Sequence, residues 1–221
     1  MGIRIYHGSE IIVKQPRFGI GRAFNDFGLG FYCTEYKEHA AEWAAASGRN
    51  GFVSAYSLDT SGLRTINLCG PQYGTMHWLF MLLNYREFDI AAPLSQQARE
   101  YINRNFAVDY QGCDCIAGYR ADDVCFAFAR AFLSGSISVQ SLSSYLRSSS
   151  ANKEFVLKSN RAFDRISFAG HEPAIYSSSY PPCAARELAA LKSIGSSHGA
   201  KELFITDMIR EEVSPYDPRL R

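Results

Sequence analysis

Three short segments with β-strand composition, at residues 4–7, 52–58 and 154–157, lie far apart in the chain, and the helical patterns between them come in runs. Helices that do not alternate one by one with strands cannot build the crossovers of a regular parallel sheet. The chain therefore reads as α+β, with short, mainly antiparallel strands and flanking helices. In the first segment the period of two puts Ile3, Ile5 and His7 on one face, so His7 closes the inward side of a strand that ends at Gly8-Ser9. In the third, Glu154 and Val156 share a face, and a carboxylate opening an apolar strand calls for an explanation.

The helices follow from the longer period. Thr34 can cap a helix running to about Ala46, with Tyr36, Ala40, Trp43 and Ala44 on one face. Residues 76–88 carry Leu79, Leu82 and Leu83 at helical spacing and read as a core helix. Asp122-Asp123 suit the positive end of another, whose buried stripe is Cys125, Phe128, Ala129 and Phe132 before Gly135 stops it. Ser138 starts a shorter one with Leu142, Tyr145 and Leu146, and residues 148–150 make a polar break.

With 221 residues, 47% of them hydrophobic, the chain has the size of one domain, 1–221: a core to about 170 and a C-terminal extension over about 171–221. Ser177–179 and Pro181-Pro182 read as a linker, because too little sequence follows for a second core. A net charge of +1 gives no overall pull towards nucleic acid or membrane. The start lacks a secretory signal and no apolar run reaches the roughly 20 residues that span a bilayer, so a soluble cytoplasmic protein is expected. The six cysteines read as reduced thiols. Cys113 and Cys115 would share a strand face, and their spacing lacks the ligand pairs of a zinc site, so no metal is expected.

Residues 14–30 form a glycine-rich connection of the kind that closes on a ligand, and Arg17 and Arg22 within it can meet a pyrophosphate or be merely solvated. Gly19-Ile20-Gly21 is not a dinucleotide fingerprint: the third glycine and the strand-helix setting are missing. Asp26-Phe27-Gly28 has the letters of the kinase magnesium motif without its other parts.

The chemistry-bearing residues are Tyr6-His7-Gly8-Ser9, then Gly30-Phe31-Tyr32-Cys33-Thr34, then Trp43, then Glu154-Phe155-Val156-Leu157. A polar group near a strand end, a backbone bared by glycine and two separated aromatics are what gripping a flat carboxamide ring such as nicotinamide requires, which points to NAD. In order and spacing the series resembles the His-Tyr-Glu ADP-ribosyltransferases, the diphtheria-toxin-like branch. Within that branch it is most similar to a bacterial family of unknown function predicted to be ADP-ribosyltransferases, sharing Asp26-Phe27-Gly28, Gly118–Asp123, Ile209–Glu212 and Asp217–Leu220. The Gly118–Asp123 segment is distinctive without an evident mechanistic role.

The resemblance implies a split β-sandwich and an enzyme that transfers ADP-ribose from NAD to a protein or nucleic-acid acceptor, with NAD as co-substrate and no metal. It also implies a toxin held in check by an antitoxin. Position by position, it implies that His7 bonds the nicotinamide-side ribose, that Gly8 and Ser9 hold the carboxamide, and that Tyr32 and Trp43 flank the ring. Trp43 stands where the family usually has tyrosine. Glu154 would stabilise the oxocarbenium-like ribose, with Asp122 and Asp123 as substitute carboxylates whose plainer role is helix capping. Two other readings stay open, an NAD glycohydrolase and a silent binding module.

Overall fold

The structure, a computed structural model, describes residues 2–46, 48–88, 90–148, 153–180 and 202–220, with 185 and 189. The fold is α+β, built on two sheets. β1 (Gly2–Ser9), β3 (Gly51–Asp59) and β7 (Ile166–Ala174) form an antiparallel sheet in the order β1-β3-β7. β2 (Phe31–Cys33), β6 (Lys153–Leu157), β5 (Cys115–Tyr119) and β4 (Thr65–Asn67) form the other, in the order β2-β6-β5-β4, and within it only β4 and β5 run parallel.

Alternation along each strand decides what the sheets bury. Ile5, Tyr56 and Leu58 of the first sheet meet Cys33, Cys115, Phe155 and Leu157 of the second in a dry cluster. Ile116 and Val156, one residue out of phase, face the opposite way into a helical core with Trp78 and Phe132. That core is made by α2 (Thr75–Tyr85), α3 (Pro93–Asn105), α4 (Asp123–Leu133) and α5 (Val139–Ser148). Backbone hydrogen bonds of 2.7 and 2.8 Å between Tyr6 and Thr34 tie the two sheets together.

α1 (Lys37–Ala45) lies on the first sheet through Ala40 and Ala44, packed against Val53 and Ala174. The approach is close enough that a Cβ on Gly8 would stand 1.8 Å from the Ala40 carbonyl oxygen, and one on Gly51 2.5 Å from that of Ala44. The Cβ side of Gly8 is thus filled by a helix, and what the glycine accommodates there is α1 rather than a ligand.

Several expectations need correcting. Thr34 does not cap α1: its backbone is bound to Tyr6, its Oγ1 accepts from the Tyr36 N–H at 3.2 Å, and Tyr36 is the capping residue. Cys113 and Cys115 do not share a face, because β5 begins only at Cys115 and Cys113 turns into the helical core. Ser177–179 begin a helical turn, with the Ser178 and Ser179 N–H groups both donating to the Ile175 carbonyl. Pro181-Pro182, Cys183 and most of the break at 148–150 lie outside the described residues.

By contrast α4 starts and stops as the sequence indicates. Asp122 accepts from the Cys125 N–H at 2.9 Å, and Gly135 takes the left-handed backbone, φ 75°, just past the end. After α6 (Asn160–Phe163), β7 continues the first sheet, and α7 (Ile205–Arg210) returns to α3 with Leu203, Ile205, Met208 and Val213 buried in the helical core.

Candidate active site

A cleft of about 870 Å³ opens between β1, β2, the N-terminal end of β6, α1 and the loop at 10–30, and His7, Gly8, Tyr32, Trp43 and Glu154 all line it. Ser9 is not among the lining residues; its hydroxyl donates back to the Ile11 carbonyl at 2.7 Å. Arg17 borders the cleft.

His7 points inward from β1, and its Nδ1 lies 2.7 Å from the Tyr32 carbonyl oxygen. A carbonyl only accepts, so Nδ1 carries the hydrogen and Nε2 is left with a lone pair. Burial holds the imidazole below its ordinary value, which keeps it neutral at pH 7. The Phe31 ring, 4.5 Å away between centroids, fixes its tilt.

Tyr32 is locked by the loop before it. Its hydroxyl donates to the Gly28 carbonyl at 2.6 Å and accepts from the Phe27 N–H at 3.0 Å. Burial first, and then the neighbouring Glu154 carboxyl, push the phenol far above its ordinary value, so it stays protonated.

Glu154 is 4% exposed, and its Oε1 has no hydrogen-bond partner among the described residues. Burial raises its carboxyl well above the ordinary 4.5, the nearby Asp26 adds to the rise, and Arg120 and Arg86 oppose it. Asp26 is pushed up by burial too, but it has groups to hold its charge: Arg86 donates to Oδ1 at 3.1 Å and the Ala121 N–H to Oδ2 at 2.7 Å. Of the two carboxyls Glu154 is therefore the one that keeps a proton. It also borders a second cavity of about 190 Å³, lined by Glu35, Asn67, Cys69 and Lys153. The Cys69 thiol there is pushed up to about 11 by burial and is no nucleophile at neutral pH.

Sequence reasoning did not foresee Asp26, Arg86 and Arg120 in this cleft, although two of them sit in the segments it singled out. The segments at 26–28 and 118–123 form one clamp. Phe27 is fully buried, and its ring fills the space a Cβ on Gly118 would need, 2.3 Å from Cζ. Asp26 ties down the Ala121 amide, and Lys158 donates to the Phe27 carbonyl. What this clamp delivers to the cleft is Arg120, whose Cζ stands 5.0 Å from the centroid of the Trp43 ring. Arg86, by contrast, is tied to Asp26 and lies over Phe126 at 4.6 Å. Asp122 and Asp123 border the cleft, and the Asp122 carboxylate caps α4.

No group of His, Cys, Asp and Glu among the described residues is arranged to hold a metal ion, and no helix among them is long and apolar enough to cross a membrane. Residues 3–168 match the model of a family described as "Protein of unknown function (DUF3990)". No curated protein and no solved structure matches the chain.

Proposed function

We propose that this chain, which belongs to the DUF3990 family, is an NAD-dependent mono-ADP-ribosyltransferase. The observation that carries the reading is a single cleft walled by His7, Tyr32 and Trp43 and floored by a buried carboxyl, Glu154, with an unsatisfied oxygen. A buried polar atom without a partner costs folding free energy, and a ligand able to engage it removes that cost on binding.

The chemistry is cleavage of the glycosidic bond between the ribose C1′ and the pyridinium nitrogen. The bonding pair leaves with the nitrogen, nicotinamide departs neutral, and positive charge is left on the ribose. The nucleophile of a protein or nucleic-acid acceptor then bonds to C1′ and loses its proton. As the positive pyridinium approaches, Glu154 gives its proton up to solvent water, and the resulting carboxylate stabilises the oxocarbenium-like state. His7, with Nδ1–H held by the Tyr32 carbonyl, offers Nε2 to a ribose hydroxyl. Trp43 presents a ring face that favours a flat cation.

The resemblance to diphtheria-toxin-like enzymes supports the same reading and suggests a bacterial toxin neutralised by an antitoxin. Incubation with NAD labelled in the adenosine half, in a cell lysate, tests it. Label on a macromolecule is expected; free ADP-ribose alone would make the protein a glycohydrolase, and intact NAD would leave a binding module.

A further inference from the structure

The segment at 118–123 is the conspicuous feature the proposed reaction does not use, and its product in space is one guanidinium. Arg120 lines the cleft and lies over the indole of Trp43 at 5.0 Å; among the described residues it makes no direct ion pair, and Asp26 and Glu154 are near enough for its charge to act on both. Arg86 shows the contrast: it too covers a ring, but a carboxylate anchors it. A planar, delocalised cation on an indole face, in a slot that also holds a buried carboxyl with an unpartnered oxygen, has the environment a pyridinium would need there.

Two cations cannot share that ring face. We infer that Arg120 is an internal stand-in for a flat cationic ligand: it occupies the slot at Trp43 and must vacate it for a pyridinium to stack. This deepens the NAD reading, on which it rests for the ligand's identity, and makes the slot a selective site for flat delocalised cations. It also gives the clamp a purpose. Asp26 fixes the loop by the Ala121 amide, one residue beyond Arg120, so the backbone is held and the long side chain is what moves.

N1-methylnicotinamide is a suitable probe, being the cationic ring alone, and uncharged nicotinamide is its control. Stacking of the pyridinium on Trp43 quenches indole fluorescence; the other tryptophan, Trp78, is fully buried and does not line the cleft. Titrations run at mildly alkaline pH limit the effect of losing a guanidinium beside Glu154. Two neutral replacements, Arg120→Ala and Arg120→Gln, guard against one of them misfolding. Removing a competitor worth one cation–π contact is expected to tighten probe binding by about 2- to 30-fold, with little change for nicotinamide. Unchanged or weaker binding of the cation by the folded variants overturns the inference. The outcome is separable from the enzymatic reading, because NAD consumption by the wild-type chain is measured independently and the probe has no glycosidic bond to cleave.

Discussion

Glu154 joins the proposed reaction to stability within one side chain. Its carboxyl sits above the ordinary glutamate value because burial disfavours the charge, so in the pH range just above 4.5 the unfolded chain releases this proton and the folded chain keeps it. The folded state then binds more protons, and stability falls as pH rises through that window. Glu154→Gln removes the titration. Denaturant unfolding at a series of pH values should show a downward slope in the wild type that is shallower in the variant; identical slopes would mean Glu154 is not held protonated. The same change should lower NAD cleavage by about two to three powers of ten, the cost of one preorganised electrostatic group. Wild-type turnover by the glutamine form would remove Glu154 from the chemistry. The acid limb of kcat/KM, measured on the wild type, is expected well above pH 4.5 for the same reason. His7 and Glu154 were legible because a strand's period of two fixes a side chain's face from its neighbours, whereas Tyr32 was reached through its motif and the family resemblance. Arg120 was not, since a loop residue acquires its place only through tertiary contacts such as Asp26 to the Ala121 amide.

At the level of elements, two glycines set where the cleft walls stand. Gly8 lets α1 approach β1, and Gly118 lets Phe27 pack beside β5. Gly8→Ala would drive a methyl group into a backbone oxygen that no rotamer change can move, so α1 and its Trp43 must shift. A stability loss of about 1–3 kcal/mol is expected, with weakened quenching of Trp43 by the pyridinium probe; an unchanged thermal midpoint would show that the helix has slack. Gly118→Ala meets the far end of a buried ring instead. It is expected to lower stability by about the same amount and to loosen Arg120, read as lost cation–π contact with Trp43. Most helices with an apolar stripe were visible in the sequence, whereas α3 was missed because it is mostly polar outside Ala98, Tyr101 and Ile102; Pro93 in its first turn was the available signal. β7 was missed because Gly170, Pro173 and the polar pair His171-Glu172 mask its alternation, and pairing with β3 supplies the order that composition does not.

For the whole molecule, the family match ends at 168, yet the core does not. Leu203, Ile205, Met208 and Val213 are each no more than 3% exposed, and Tyr101 of α3 donates to the Val213 carbonyl at 2.5 Å. Burying four such side chains contributes about 6–12 kcal/mol, a sum comparable with the entire stability of an ordinary domain, about 5–15 kcal/mol. No such weight was legible for residues beyond 170, because Leu203, Ile205 and Met208 are too few to form a pattern of their own and declare their role only against α3 and the rest of the helical core. Removing residues 202–221 should therefore abolish cooperative thermal unfolding or leave a species that binds a hydrophobic dye, even though the whole family-matched region and every cleft residue proposed for NAD remain. A truncated chain that unfolds cooperatively near the wild-type midpoint would show instead that the helical core is self-sufficient and that α7 merely rests on it.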